Sequence, residues 1–483
     1  HGSVSLKGGR IDDITLARYH EQLDKSSPEI VLMSPAGVEQ PYYAEFGWRA
    51  QGVAVPDQNT VWNAASGEAL APGKPLVLSW DNGAGLTFEK KIEIDDNYLF
   101  TITQSVTNTS GAAVTLHPYG LVARDTPPNP DAMFLQHEGA IGVFEGKLHE
   151  DTYKDLASDA IMKRTTTGGW FGFTDKYWLV ALMPAQDKPI STRALHAPQV
   201  GAHRYQVDYL DDAGIKVEAG ATASSTTHLF AGAKELGLLD QYEKAIGVKH
   251  LDLAIDFGWF YFLTKPFFYA LNWLAGALGG FGLAILAFTV VVKLLLFPLA
   301  DHAYFSMAKM KVLMPKLQEL RQTYANDPQK QSQAMMELYK KEGVHPLSGC
   351  WPILIQIPIF FALYKVLFVS IEMRHAPFYG WIHDLSAADP SNIFTLFGLL
   401  PWASPLHIGA LPIMMGVTMW LQMKMSPPPT DPAQRIVFGL MPVILTVSMA
   451  SFPAGLVIYW TWSNVLSILQ QYVLMRRMKV RAF

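Results

Sequence analysis

Residues 288–300 read FTVVVKLLLFPLA, an apolar run with a single cation, Lys293, near its middle. Extended back to residue 281, the run reaches the ~20 residues that a helix needs to cross a bilayer. Lys293 decides what kind of membrane segment this is. It lies seven residues before the following basic loop, which at ~1.5 Å per residue places it about 10 Å below the cytoplasmic end. An ammonium there costs roughly 2.5–3.5 kcal/mol on insertion scales unless it finds water or a partner. The side chain therefore either snorkels to the inner headgroups or projects into a hydrated cavity.

Four further apolar stretches, at about 351–370, 408–424, 436–453 and 455–475, give five expected spans with 281–300. The basic residues between them alternate. Residues 301–345 hold Lys309, Lys311, Lys316, Arg321, Lys330, Lys340 and Lys341, whereas 371–407 hold only Arg374, and the end of the chain carries Arg476, Arg477, Lys479 and Arg481. By the positive-inside rule, the long basic loop and the C-terminus face the cytoplasm and everything before residue 250 lies outside. Within the basic loop, Met307, Met310, Met314 and Leu317 recur at helical spacing, ANDPQ marks a turn, and QAMMELYKKEG supplies a second helix containing Met335 and Met336. The loop is thus a helical hairpin, bent near Pro315. Its methionines serve either as a soft surface that recruits varied clients or as a zip between the two helices.

No acidic residue falls inside the five spans. They do contain neutral polar residues, among them Thr289 one turn from Lys293, Gln356, Gln422, Thr446, Ser448, Thr461, Ser463 and Asn464. Any single Thr or Ser is satisfied by a hydrogen bond within the bundle. As a set beside an unpaired lysine, they favour a wet, positively charged cavity that attracts the carboxylates of a passing polypeptide. Pro298, Pro352, Pro358, Pro442 and Pro453 loosen local packing in or beside the spans.

Ahead of the spans, residues 257–273 crowd nine aromatics around Asp256, Lys265 and Pro266. Such a segment suits a helix lying in the headgroup layer, over about 251–280, with Gly279 and Gly280 permitting the turn into the bilayer. The N-terminal half has period two. Tyr98, Phe100, Ile102 and Val106 share one face of YLFTITQSVTN, and Tyr205, Val207 and Tyr209 alternate with Arg204, Gln206 and Asp208 in HRYQVDYL. Turn signals such as DNGAG, NTSGAA and TPPNPD separate these strands, the pattern of an antiparallel β-sandwich over residues 1–232, with a linker helix over 233–250. The opening HGSVSLKGG lacks a charged region followed by an apolar one, so His-Gly-Ser is read as a tag scar and a native N-terminal anchor as removed.

Of the 483 residues, 50% are hydrophobic, and the mean hydropathy is +0.14. The net charge of −4 is carried without any arginine-rich arm, which argues against nucleic-acid recognition. A lone Cys350 excludes an internal disulfide and any CxxC site. There is no HExxH, GxSxG or Walker A sequence and no paired intramembrane carboxylates, so the chain is read as a non-enzyme without cofactor or metal.

The runs FPLADHAYFSMAKMKVLMPKLQELR, MMELYKKEGVHPLSGCWPILIQIPIFFALYKVL, APFYGWIHDLSAADP, MGVTMWLQMKMSP and FPAGLVIYWTWSNVLSILQQ cover nearly all of 250–478 and closely resemble the YidC-type membrane protein insertases. The N-terminal half resembles, more weakly, the family's periplasmic β-domain, whose fold is similar to sugar-binding mutarotase-like sandwiches. The resemblance implies a multi-domain inner-membrane protein. A periplasmic β-sandwich is followed by a helical membrane domain of five spans (281–300 and four within 346–478), a cytoplasmic hairpin (301–345) and a cytoplasmic tail (479–483). It also implies a groove, open to cytoplasm and lipid, that briefly holds the hydrophilic segment of a nascent membrane protein. Lys293 stands at the family's positively charged position, where arginine is usual. A lysine keeps the charge but loses the planar fork that grips a carboxylate bidentately. Thr289, Tyr459 and Trp460 match groove-facing positions, and Gln356, Gln422 and Asn464 are added on polarity and depth. Implied partners are nascent membrane proteins, the bilayer, the Sec translocon with its accessory proteins, and, as a further candidate, the ribosome. The apolar insertion FTLFGLLPWASPLHIGAL before the third span departs from the family and is placed at the outer surface.

Two rival functions remain. A small-anion transporter or channel could use Lys293 as its ion site, but would want inverted repeats or further charges along a path. A sugar-binding β-domain could draw on His117, Asp125 and His137, if they converge.

Overall fold

The alternation in YLFTITQSVTN becomes the strand Leu99–Asn108, with Phe100, Ile102 and Val106 buried and Thr101, Thr103 and Thr107 on the outer face. Those outer threonines pair across the sheet, Thr103 with Thr226 and Thr107 with Thr222, while Thr101 meets His228. Cross-strand hydroxyl pairs of this kind help fix the register of antiparallel strands. In a computed structural model, residues 1–64, 69–125, 136–158, 161–199, 202–343, 351–394, 407–426 and 432–478 are described. The chain divides into two units, His1–Asp256 and Phe257–Phe483.

The first unit is a sandwich of two nine-stranded antiparallel sheets. One runs Gly2–Ser5, Arg10–His20, Tyr42–Arg49, Val114–Arg124, Ala202–Leu210, Pro189–Gln199, Ile161–Thr167, with Glu29–Met33 and Ile215–Val217 attached at its side. The other runs Lys147–Thr152, Gly139–Phe144, Trp170–Thr174, Trp178–Met183, Thr222–Ala233, Leu99–Asn108, Leu86–Ile94, Leu76–Asp81, Asn63–Ala64. Trp48, Phe46, Phe88, Ile102, Phe171 and Val207 share the core between them. One inward position is a cation: in LTFEKKIEI, Lys90 points into the core with Phe88 and Ile92. Its ammonium donates to the carbonyls of Phe46, Gly9 and Gly8 at 2.8, 3.0 and 3.5 Å and lies 4.8 Å from the Trp62 ring. Gly9, at φ +59°, has to be glycine, because a Cβ there would come within 2.8 Å of the Lys90 Nζ. Short helix α1 (Tyr153–Ser158) packs at the sheet edge, and α2 (Leu236–Ile246) ends at Gly247 in the left-handed region.

The second unit is helical: α3 (Tyr261–Leu278), α4 (Phe281–Leu295), α5 (Phe297–Thr323), α6 (Pro328–Lys341), α7 (Trp351–Val369), α8 (Ala410–Met425), α9 (Pro432–Met449) and α10 (Ala454–Arg477). Helix α3 starts at Tyr261, ten residues after the expected 251, since 251–256 belong to the β-unit. It leaves Phe262 and Trp273 exposed, as is Trp259 just ahead of it, while burying Phe268 and Leu271. Gly279 caps it at φ +78°, forming the expected turn into α4.

The expected span 281–300 is interrupted. Helix α4 ends at Leu295, and α5 leaves at 68° to it. Pro298 explains the break: it has no N–H to continue the ladder of α4 and its ring crowds the carbonyl of Leu294, yet it fits the first turn of a new helix. By length and hydropathy, no single described helix suffices to cross a bilayer, whereas the bent pair α4–α5 does. Helix α5 runs past Pro315 without a break and pairs with α6 as the expected hairpin, where Asp327 caps α6 by accepting from the Lys330 N–H. Met314, Leu313 and Leu317 are buried in this pair against Met310, Met335 and Tyr339. Met336 is 62% exposed and Met307 half-buried.

Residues 376–392 tie three helix ends together. Phe378 packs on Gly282 of α4, and the carbonyls of Ala387 and Leu385 accept from Ala454 and Gly455 at the start of α10. Asp389, 1% exposed, accepts from Trp381 Nε1, Ser391 N and Ser391 Oγ on one oxygen and from Leu411 N of α8 on the other. The expected turn TPPNPD, most of FTLFGLLPWASPLHIGAL, Cys350 and the tail 479–483 lie outside the described residues.

Candidate functional site

Lys293 stands on the last turn of α4, one turn before the break, where its side chain reaches α10 and donates to Ser467 Oγ at 2.8 Å. That is its single hydrogen bond among the described residues, leaving two of the three ammonium protons for other acceptors. It lines a slot of about 290 Å³ between the α4–α5 elbow and α10. The polar groups of the slot are Lys293, Asp301, Gln470 and Arg477, and its walls are otherwise apolar, with Leu294 at 65% and Leu469 at 57% exposure. A cation beside a largely apolar groove can hold an acidic segment while an adjoining apolar helix stays in contact with hydrocarbon.

The other expected residues are placed differently. Thr289 is buried and returns its hydroxyl to the Ile285 carbonyl at 2.6 Å, as Thr446, Ser448 and Thr461 do to Pro442, Ile444 and Val457. Their polarity is satisfied within their own helices and requires no cavity. Gln356 on α7 donates to the Tyr459 hydroxyl of α10 at 2.5 Å, and Asn464 donates to Thr418 of α8 at 3.3 Å. Trp460 packs on Phe360 with ring centroids 4.7 Å apart. Gln422 is half-buried on α8, where its carbonyl accepts from Ser426. These residues tie α7 and α8 to α10. Of the seven groove residues, Lys293 alone lines the slot among the described residues.

Sequence reasoning missed Ser467, Asp301, Gln470 and Arg477. Ser467 had a signal, since Asn464, Ser467 and Gln471 recur at three and four residues and form a polar stripe on α10. Gln471 is fully buried, and neither of its amide atoms has a hydrogen-bond partner among the described residues. In the β-unit, the proposed sugar residues do not converge. His117 and Asp125 lie eight positions apart along one extended stretch, or ~26 Å. Each has a local partner, the Asp211 carbonyl for His117 and Arg204 for Asp125, while His137 contacts the Ala140 carbonyl. No cluster of three or more metal-ligating side chains occurs among the described residues.

Two family models match the chain, one described as the YidC periplasmic domain over residues 1–270 and one described as the 60Kd inner membrane protein over residues 273–481. The membrane protein insertase YidC of Granulibacter bethesdensis is 52% identical over 492 residues, covering 99% of this chain and 85% of that protein. That of Methylobacterium radiotolerans is 50% identical over 493 residues, covering 99% and 80%. A solved structure described as an active YidC insertase with its first transmembrane domain resolved aligns with a TM-score of 0.40 at 18% identity, over 98% of this chain and 89% of that one. The two matched models define the class, a bacterial inner-membrane protein with a periplasmic domain. The chain belongs to the YidC family of membrane protein insertases.

Proposed function

We propose that this chain inserts membrane proteins by receiving the hydrophilic, acid-bearing segment of a nascent client in the slot beside Lys293 and releasing the client's apolar helix sideways into the bilayer. The observation that carries this reading is the Lys293 ammonium, which opens onto the slot with one neutral hydrogen-bond partner and no ion pair among the described residues. A client carboxylate would supply the missing counter-charge in a medium where that attraction is stronger than in water. The naming of the relatives as membrane protein insertases supports the same activity. In this scheme the β-unit is periplasmic, the α5–α6 hairpin and the C-terminus are cytoplasmic, and residues 376–392 close the periplasmic end of the bundle. Met307 and Met336 are the hairpin methionines left for recruiting clients, since Met310, Met314 and Met335 pack between α5 and α6. Insertion proceeds alone or with the Sec translocon and its accessory proteins, on chains delivered by the ribosome. The test is insertion of a small single-span protein with an acidic tail into proteoliposomes containing the full chain. Lys293→Ala is expected to lower insertion at least tenfold and Lys293→Arg to preserve it; equal insertion by parent and Lys293→Ala would refute the capture step.

A further inference from the structure

The slot has features that a client's hydrophilic segment does not use. Its α10 wall extends from Leu466 to Arg477, about 16 Å at helical rise. That length matches one leaflet, half of a ~30 Å hydrocarbon core. The wall is apolar along Leu466, Leu469 and Val473, and the last two are exposed. Two opposite charges line the slot, Arg477 from the end of α10 and Asp301 from the start of α5, and they form no ion pair with each other or with another described residue. A carboxylate and a guanidinium held apart in one largely apolar slot are the complement of a zwitterion carrying a hydrocarbon tail.

We propose that between clients this slot holds one phospholipid with a primary-ammonium headgroup, of the phosphatidylethanolamine kind. Its phosphodiester sits on Arg477, its ammonium on Asp301, and one acyl chain lies along Leu466, Leu469 and Val473. The charges decide the headgroup. Arg477 alone would accept any phosphodiester, since guanidinium pairs well with phosphate oxygens. Asp301 adds a preference for a headgroup that can donate hydrogen bonds from a cation, and so disfavours both a glycerol headgroup, which has no cation, and a choline headgroup, whose quaternary nitrogen cannot donate. Lys293 keeps its bond to Ser467, about 15 Å along α10 from Arg477, so the acyl chain rather than the headgroup passes it. Lipid and client thus compete for one slot. The proposal rests on Lys293 facing a membrane-accessible slot, as in the insertase reading, but not on capture of client carboxylates.

The test is native mass spectrometry of the full chain released from detergent micelles supplied in turn with phosphatidylethanolamine, phosphatidylglycerol or phosphatidylcholine, with no client present. The parent is expected to retain a single phosphatidylethanolamine about ten- to a hundredfold better than phosphatidylcholine, the worth of one charge-assisted hydrogen bond. Asp301→Asn should remove the preference for phosphatidylethanolamine over phosphatidylglycerol, Arg477→Gln should lower retention of both, and Leu469→Trp should block all three by filling the slot. Equal retention of phosphatidylethanolamine and phosphatidylcholine by the parent, or unchanged selectivity in Asp301→Asn, would overturn the proposal. Insertion assayed on the same preparations separates the two readings: lost lipid selectivity with intact Lys293-dependent insertion refutes the lipid site alone.

Discussion

Replacing Asp389 by alanine should unfasten the end of the bundle at which α4, α8 and α10 begin. Four donors converge on this buried side chain, Trp381 Nε1 at 3.0 Å, Ser391 N at 2.9 Å, Ser391 Oγ at 2.7 Å and Leu411 N at 2.8 Å. After the substitution, the Trp381 indole, on a 45% exposed residue, and the Ser391 hydroxyl can turn to water. The half-buried Ser391 N–H can do so as well, but that of buried Leu411 cannot, and a buried orphan costs about 1–3 kcal/mol. Leu411 lies in the first turn of α8, so loss of an acceptor there removes a further ~0.3–1 kcal/mol of helix-dipole stabilisation. The total is about 1–4 kcal/mol, confined to residues 381–391 and the first turn of α8. Hydrogen exchange of the full chain in lipid nanodiscs is the assay. Amides of 410–413 should lose protection by about 10- to 10³-fold in Asp389→Ala, less in Asp389→Asn, which keeps one acceptor. Unchanged protection in Asp389→Ala would refute the view that this carboxylate fastens 376–392 to α8.

Three further outcomes follow from individual contacts. Gly282→Ala places a Cβ 1.9 Å from Phe378 Cδ2, so the full chain should lose about 1–3 kcal/mol of stability through overpacking, measured as a fall in its melting temperature in detergent. Tyr459→Phe leaves the Gln356 amide without its acceptor on α10 and should cost about 1 kcal/mol in the same measurement, whereas Gln356→Leu combined with it should recover part of that loss. In the β-unit, burial pushes the Lys90 ammonium down to about 7 and that of Lys234 to about 8. Unfolded, both groups titrate near the ordinary lysine value of 10.5. Between these limits the unfolded chain binds more protons than the folded one, so the stability of the β-unit should rise with pH from about 7 to about 10. Denaturant unfolding of the full chain, followed by β-sheet circular dichroism across that range, checks the sign, and Lys90→Met should flatten the lower part of the slope.

The legible parts of the fold were those in which a local pattern mirrors a local cause. Period two in residues 99–108 and 205–209 follows directly from one buried sheet face, and the strands appear there. Lys293 stood out because a charge inside an aliphatic run is costly wherever the helix lies. Its partner was not legible: Ser467 is 174 residues away in sequence and becomes a neighbour only through the packing of α4 on α10. The same holds for Lys90: the alternation in LTFEKKIEI puts it on the inward face, but its acceptors at Gly8, Gly9 and Phe46 are 82, 81 and 44 residues distant, so that the strand does not show what satisfies a buried cation. Pro298 did carry the signal for the break after Leu295, but it was weighed as loosening a continuous span rather than ending a helix. For the neutral polar residues, composition could not separate Thr289, which satisfies itself along its own helix, from Asn464, which bonds across to α8.

Charge capture at Lys293 is tested most directly by a double-mutant cycle between the chain and its client. Insertion rates would be measured in proteoliposomes for Lys293 and Lys293→Ala, each with a client bearing a single acidic residue in its translocated segment and with the same client carrying asparagine there. If the ammonium and the carboxylate meet in the slot, each single change slows insertion about tenfold and the double change slows it no further, a coupling of about 1.4 kcal/mol. If the two losses multiply instead, the carboxylate and Lys293 act independently and the capture mechanism is contradicted.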